Sequence, residues 1–433
     1  MRCSPLPLKL GVSVVGQASD SGLVLQNNGG DDLSITASGG YAFATPLANN
    51  AAYTVTILHQ PTGQSCFLRN ATGMVIAGTI VTVVCPWHVA YVVYAMNAAE
   101  PNTIAGFYID EKTGAFVAGP AALSTGSSPS YVTVTPNNRF CYVANAGDGT
   151  VSGYSIEATD GTLTPVSGSP VSAGTRPVQI TVAPSGQYAY VANAGSNDIS
   201  VYAINSSTGA LTSIPGSPFT TGLGATAYTT DIAIDPSGAF AFVATGPSLQ
   251  IIEGFAVTAG TGALAALASS PINAGNGPEW IAFTPNGKYM YVQDFLGTTS
   301  AFAFDSTSGA LAPVPGSPFS GGGYLLSLAV DPLGRFVYLA DTGLNQILAY
   351  SIDPQNGALV PMAGSPYASP LGASPHFITP DPSGMYAYVT YYNGSNGITA
   401  YAVDSGGNAL AALPDTSFQT TLGASSVAVA ALR

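Results

Sequence analysis

Charge is scarce in this sequence: 7 % of its 433 residues are Asp, Glu, Lys or Arg. Nine Lys and Arg stand against 22 Asp and Glu, a net charge of −13. So few bases provide no cationic stripe to displace counterions from phosphates, which excludes nucleic acid as a partner and disfavours anionic membrane surfaces. No apolar run approaches the ~18 residues of a membrane-spanning helix. With 3 His and 4 Cys, no Cys/His metal spacing appears, and there is no Gly-x-Ser-x-Gly elbow, phosphate loop or dinucleotide fingerprint.

What is abundant is Gly (51), Pro (32) and Tyr (23). Short alternating apolar segments punctuated by Gly, Pro, Asn and Ser are the pattern of an all-β chain. The four cysteines divide. Cys66 and Cys85 lie in one small segment and could staple it, which would place the chain in an oxidising, extracytoplasmic compartment. Cys141 sits inside Phe140-Cys-Tyr-Val-Ala144 and reads as a small buried thiol. Cys3 follows only Met1-Arg2, so no export signal can be read.

Residues 1–9 read as a tether and 10–86 as a small β-sandwich. Its strands include Leu23-Val-Leu-Gln26, Tyr41-Ala-Phe-Ala44, Tyr53-Thr-Val-Thr-Ile-Leu58 and Val81-Thr-Val-Val-Cys85, separated by Asn/Gly-rich turns. A core of that size is marginal alone, and a Cys66–Cys85 bridge would contribute about 3 kcal/mol by loop entropy. Asp31-Asp32 reads as a solvated turn in preference to a calcium loop.

Residues 87–433 repeat. The turn Pro-x-Gly/Asn followed by an aromatic strand recurs at Pro136, Pro184, Pro236, Pro285, Pro332 and Pro382, a spacing of roughly 50 residues that signals propeller blades or solenoid turns. Within each period an apolar strand precedes the proline (Val178-Gln-Ile-Thr-Val-Ala183). An aromatic strand follows it (Tyr188-Ala-Tyr-Val-Ala-Asn193), then a third strand (Ile199-Ser-Val-Tyr-Ala-Ile204) and a weak fourth ending in Gly-Ser-Pro (Gly216-Ser-Pro218). Aromatic strands number seven, beginning with Ala90-Tyr-Val-Val-Tyr-Ala95. Apolar inner strands also number seven, but they begin at Tyr131 and end with Ser426-Val-Ala-Val-Ala-Ala431. The expectation is a seven-bladed β-propeller whose first blade takes its inner strand from the carboxyl terminus, closing the ring.

Tyr142-Val-Ala-Asn145 and Tyr190-Val-Ala-Asn193, with the Pro-Ser-Gly turns, resemble the YVTN repeats of bacterial surface propellers and the lactonase-type seven-bladed propellers, which include 6-phosphogluconolactonases and carboxymuconate cyclases. The run Ser21–Leu33 with Gln60–Cys66 resembles an immunoglobulin-like module of exported bacterial proteins, and that resemblance implies a disulfide between Cys66 and Cys85. In the lactonase branch two adjacent blades carry the site. The segment from Gly277 to Asp294 is similar to the second of them as a scaffold, but Glu279 stands where the family has Arg, Trp280 where it has His, and Asp294 where it has Glu. The preceding blade has Thr230-Asp-Ile where Pro-His is expected, and a Pro375-His376 pair occurs out of order, two blades after the Gly277–Asp294 segment.

Ligands of propellers approach the face where the fourth-to-first and second-to-third strand loops converge. Of the bases, Arg139, Lys288 and Arg335 fall in turns of the opposite face and Lys112 in a hairpin, leaving Arg176 and His376. The acids of the candidate face are Glu100, Asp148, Asp198, Glu279, Asp294 and Asp341. Such a face would repel a phosphorylated or polycarboxylate lactone, which needs cationic clamps. The reading is therefore an extracytoplasmic binding or surface-scaffold protein for a glycan, peptide or cation. The alternative is a lactonase-type hydrolase or cyclase with a rebuilt acidic site, its candidates being His376, Glu279, Asp294 and Arg176. Tyr228, Trp280, Tyr324, Tyr391 and Tyr392 are candidates for stacking on a ligand, with blade packing as the plainer role. No cofactor is expected; Asp148 and Asp198 are weak calcium candidates against the plainer reading of solvated turns.

Overall fold

Alternation of period two dictates strands, and in the computed structural model strands are the regular elements of the chain. The structure describes residues 7–15, 22–61, 66–85, 91–97, 102–109, 116–222, 228–369, 374–391, 397–404, 410–413, 418–419 and 424–432. Two compact units form, Met1–Tyr91 with Tyr108–Ala118 and Val92–Phe107 with Gly119–Arg433.

The amino-terminal strands make two four-stranded sheets. One runs Gly39–Ala42, Gly11–Val15, Ile80–Val84, Phe67–Arg69; the other runs Asp31–Ile35, Leu23–Asn27, Ala52–His59, Thr72–Met74. Leu10, Val12, Val14, Leu25, Phe43, Val55, Val81 and Val83 from both sheets fill one core, so the unit is a β-sandwich. A disulfide joins Cys66 to Cys85, with both residues buried in that core. Asp31 and Asp32 begin a strand and do not form a turn: Asp31 accepts from the Thr45 amide and Asp32 from the side chain of Gln26, its partner on the neighbouring strand.

Among the described residues, seven five-stranded sheets stand as blades. Blade 2 is representative: inner Pro129–Val134, then Phe140–Asn145, Thr150–Ile156, and two short outer pieces, Leu163–Pro165 and Val171–Ser172. Blades 3 to 7 begin with inner strands Pro177–Val182, Asp231–Ile234, Pro278–Phe283, Leu325–Val330 and Pro375–Pro380. Blade 1 receives Ala424–Ala431 as its inner strand, hydrogen-bonded to Tyr91–Asn97. That carboxyl-terminal strand packs between the inner strands of blades 7 and 2, so the ring closes as the repeat count demands.

The outer edge differs from the sequence reading. Gly-Ser-Pro does not end the fourth strand; it divides it, and both pieces pair with the third strand. The Ser-Pro bonds at 169–170, 217–218, 270–271, 317–318 and 365–366 are cis. The break withdraws a ladder acceptor, and the serine replaces it. Ser169, Ser217, Ser270, Ser317 and Ser365 accept from the amides of Gly153, Val201, Gly254, Ala301 and Ala349 at 2.7–3.0 Å.

Blades are also clasped to one another. The buried Tyr142, Tyr190 and Tyr291 each donate a hydroxyl to a glycine carbonyl in the next blade's hairpin, Gly209, Gly262 and Gly357, at 2.8, 3.0 and 2.9 Å. These glycines have positive φ. A Cβ on Gly209 or Gly357 would meet Phe140 or Tyr289 of the preceding blade at 2.3 Å, so only glycine serves there.

Candidate functional site

Each inner strand of blades 2, 3, 5, 6 and 7 begins with a register shift, between Pro129 and Tyr131, Pro177 and Gln179, Pro278 and Trp280, Leu325 and Ser327, and Pro375 and Phe377. Such a bulge re-aims the side chains beside it. The residue just ahead of the next apolar position is, blade by blade from 2, Tyr131, Gln179, Asp231, Trp280, Ser327 and Phe377, with Ser426 in blade 1. Tyr131, Trp280 and Phe377 meet with ring centroids 5.6–5.8 Å apart. They form an aromatic plug across the ring. Three others link adjacent blades: Ser426 accepts from the Val132 amide, Ser327 from Ile378 and Asp231 from Ile281, at 3.2, 3.2 and 2.7 Å.

A cavity of about 380 Å³ is lined by Tyr131, Gln179, Asp231, Trp280 and Phe377 of this ring together with Thr181, Thr379 and Phe283. Asp231 is 2 % exposed, and burial pushes its carboxyl up to about 7 against the opposing pull of the Ile281 amide. The Tyr131 hydroxyl is raised by burial and by the Asp231 charge.

On the rim, Glu279 precedes the plug residue Trp280 and is half-buried; burial raises its carboxyl to about 7. The Tyr324 hydroxyl is raised by its own burial first and then by the Glu279 charge. Tyr324 packs edge-on against Phe295 at 4.6 Å. With Gly323 and Leu296, whose side chain is 63 % exposed, they line a concavity of about 390 Å³.

The other candidates are placed as follows. Asp294 is buried and accepts from the amides of Asn276, Leu296 and Thr298 and from the Thr298 hydroxyl. Asp341, at the same place in the next blade, accepts from Gly323, Leu344 and the Gln346 side chain. Both fix the loops at their blade tops, as the Asn145 side chain does for blade 2 through Gly126, Thr150 and Ser152. Tyr391 is fully buried, its hydroxyl 3.0 Å from that of Tyr401, and presents nothing to the rim. Trp280 is committed to the plug. Tyr228 is exposed, Arg176 is exposed with φ 55°, and His376 is half-buried beside Phe377. Asp148 accepts from the Ser127 amide, and Asp198 from the Asn193 and Ser196 side chains. No group of three or more His, Cys, Asp or Glu able to hold a metal occurs among the described residues. Tyr392, Glu100, Lys112 and Cys3 lie outside them.

Arg139 and Arg335 sit in the opposite-face turns as expected. Arg335 is ion-paired with Asp331 at 2.8 Å and caps the Phe336 ring; Arg139 donates to the Ser206 carbonyl. Sequence reasoning passed over Asp231, Gln179 and Phe295 as site residues. The signal was available for Asp231, a lone charge at the start of an apolar inner strand.

The model of the lactonase seven-bladed β-propeller family matches residues 81–167, 164–270 and 232–420. The chain belongs to that family. No curated protein matches it. Among solved structures, the lactonase-family unit resembles a protein from Bacteroides uniformis described as a "putative 6-phosphogluconolactonase" (TM-score 0.68, 19 % identity, covering 78 % of this chain and 98 % of that one). It also resembles the periplasmic gluconolactonase of Pseudomonas aeruginosa (TM-score 0.67, 20 % identity, covering 79 % and 99 %). At these identities the likeness shows the fold alone. The family match begins at residue 81 and bears on the propeller, not on the sandwich or its immunoglobulin-like resemblance.

Proposed function

We propose that this lactonase-family propeller is an extracytoplasmic binding protein whose rim, at blades 5 and 6, takes an uncharged carbohydrate. The observation that carries the reading is the concavity lined by Phe295, Tyr324 and exposed Leu296, where the charge of the half-buried Glu279 reaches the Tyr324 hydroxyl. Aromatic and apolar faces stack on the C–H surface of a sugar, and a carboxyl beside them accepts from its hydroxyls. A phosphate would find no clamp here: Arg335 is ion-paired on the opposite face, and Asp294 is committed to the loop that shapes the concavity. The Cys66–Cys85 disulfide and the likeness to a periplasmic relative support export.

Titration calorimetry against neutral oligosaccharides tests it. Saturable binding should weaken at least tenfold in Tyr324→Ala and be absent for 6-phosphogluconate; binding indifferent to Tyr324→Ala would overturn the site.

A second reading is favoured by Glu279 itself. A carboxyl that titrates near neutrality is poised as a general base, and a relative is described as a gluconolactonase. If the protein opens gluconolactone faster than buffer and Glu279→Gln removes the excess rate, hydrolysis of an uncharged lactone replaces simple binding.

A further inference from the structure

The ring of inner strands holds an asymmetry that blade architecture does not require. Where one inner strand accepts from the next blade's amide through its channel residue, Ser327 and Ser426 do so with a single hydroxyl oxygen. Asp231 performs the same task for Ile281 through Oδ2. A serine would suffice, so the carboxylate brings a second oxygen that the joint does not use, on a residue lining the 380 Å³ cavity.

Beside it in blade 3 stands Gln179, 5 % exposed, whose side chain bonds the Tyr131 hydroxyl. Its Oε1 has no partner. A buried amide oxygen without a donor is destabilising. Asp231 and Gln179, on adjacent blades, thus line one cavity, and its lining contains neither Lys, Arg nor His. The rest of the wall is aromatic, with Tyr131, Trp280, Phe377 and Phe283, and two threonine hydroxyls, Thr181 and Thr379, complete its polar side.

A carboxyl in a wall that has no cationic side chain disfavours an anion. A single carboxylate gives a divalent ion too few hard oxygen ligands, since calcium takes six to eight. What this wall complements is a compact cation that also donates hydrogen bonds and tolerates aromatic faces. We infer that the channel cavity is a binding site for a small organic ammonium ion, held by Asp231 Oδ1 and Gln179 Oε1 against the Tyr131–Trp280–Phe377 plug. Pro184 and Pro236, from turns of the face opposite the rim, line its far end. The site is therefore separate from the carbohydrate concavity and stands whether or not that reading holds.

The chain has two tryptophans, Trp87 and Trp280, so a Trp87→Phe background makes Trp280 the reporter. The full chain is titrated with propylammonium chloride, with 1-propanol, potassium chloride and calcium chloride as controls. The expected result is a saturable change in Trp280 fluorescence and a raised Tm with propylammonium only. Asp231→Asn keeps the bond to Ile281 and should weaken the amine at least tenfold; Gln179→Leu should weaken it about threefold or more. Should Asp231→Asn not fold, Gln179→Leu carries the test alone. An equal response from 1-propanol, calcium matching the amine, no saturable response, or full affinity in the folded variants would each overturn the proposal.

Discussion

The sandwich and the propeller are both all-β, yet they are closed by opposite means. In the sandwich a covalent staple joins residues 19 apart in sequence. In the propeller the ends meet without covalent help: Ala424–Ala431 pairs into blade 1, the Val132 amide donates to Ser426, and that of Ala431 to Asn138, across sequence separations of 294 and 293 residues. A core this small is marginal against its own chain entropy, and a cross-link offsets part of that cost. Seven blades bury enough between them to hold a distant strand, but only once the whole ring has formed.

The most drastic way to break this comparison is to delete residues 424–433. Blade 1 then lacks its inner strand, and the inner strands of blades 2 and 7 lose their neighbour. The propeller should fail to melt cooperatively by near-ultraviolet circular dichroism, while the disulfide-linked sandwich survives. A cooperative propeller transition in the truncated chain would show that the closing strand is dispensable.

Next in size is the pH response of the inner ring. Asp231 has its carboxyl raised to about 7 by burial, from 3.8. Between those values the folded chain keeps a proton that the unfolded chain releases. The contribution of Asp231 to stability is therefore largest below about pH 4, falls as pH rises to 7, and is level above. The full drop is on the order of 4 kcal/mol at most. Glu279, raised to about 7 from 4.5, slopes the same way but is only half-buried. Denaturant midpoints from pH 4 to 8 should show the propeller's slope, and Asp231→Asn should remove most of it. A slope unchanged in that variant would place the titration elsewhere.

Removing the staple comes third. Cys66→Ala with Cys85→Ala restores loop entropy worth about 3 kcal/mol to the unfolded sandwich. Its transition should fall in temperature while that of the propeller stays put. Equal shifts in both would mean the two units do not unfold separately.

Much of this architecture is legible in the residues because its signals are periodic. The Pro-x-Gly turns repeat, and counting inner against aromatic strands leaves one inner strand missing at the start and one spare at the end. The outer edge is not legible in that way. A strand broken into pieces such as Leu163–Pro165 and Val171–Ser172 is too short to show alternation, and the role of Ser169 appears only once the Gly153 amide is seen to lack a ladder partner. The site suffers from the opposite difficulty. Matching Trp280 and Asp294 to family positions locates them along the chain but not in direction. A register shift at Pro278–Trp280 cancels the alternation that would tell which side chain faces the channel. Asp231 falls through the same gap, being visible as a departure from an expected Pro-His but not as a channel residue.

The smallest effect lies within the propeller and sharpens how a ring without cross-links holds itself. Blades 2, 3 and 5 clasp their successors through Tyr142, Tyr190 and Tyr291. Blade 4 has Phe242 at this place, packed on Phe304 of blade 5, while Phe240 meets Gly309, which occupies the clasp position in that blade's hairpin. Tyr190→Phe removes a buried donor from the Gly262 carbonyl and should cost about 1 kcal/mol. Phe242→Tyr supplies the missing hydroxyl and should return up to about 1 kcal/mol, read as a rise in the propeller's denaturant midpoint at constant m-value. If the added hydroxyl destabilises instead, the joint between blades 4 and 5 is packed by aromatic contact alone. Phe242 against Phe304 and Phe283 would then be its full complement, and the clasp would be one of two equivalent ways of joining blades.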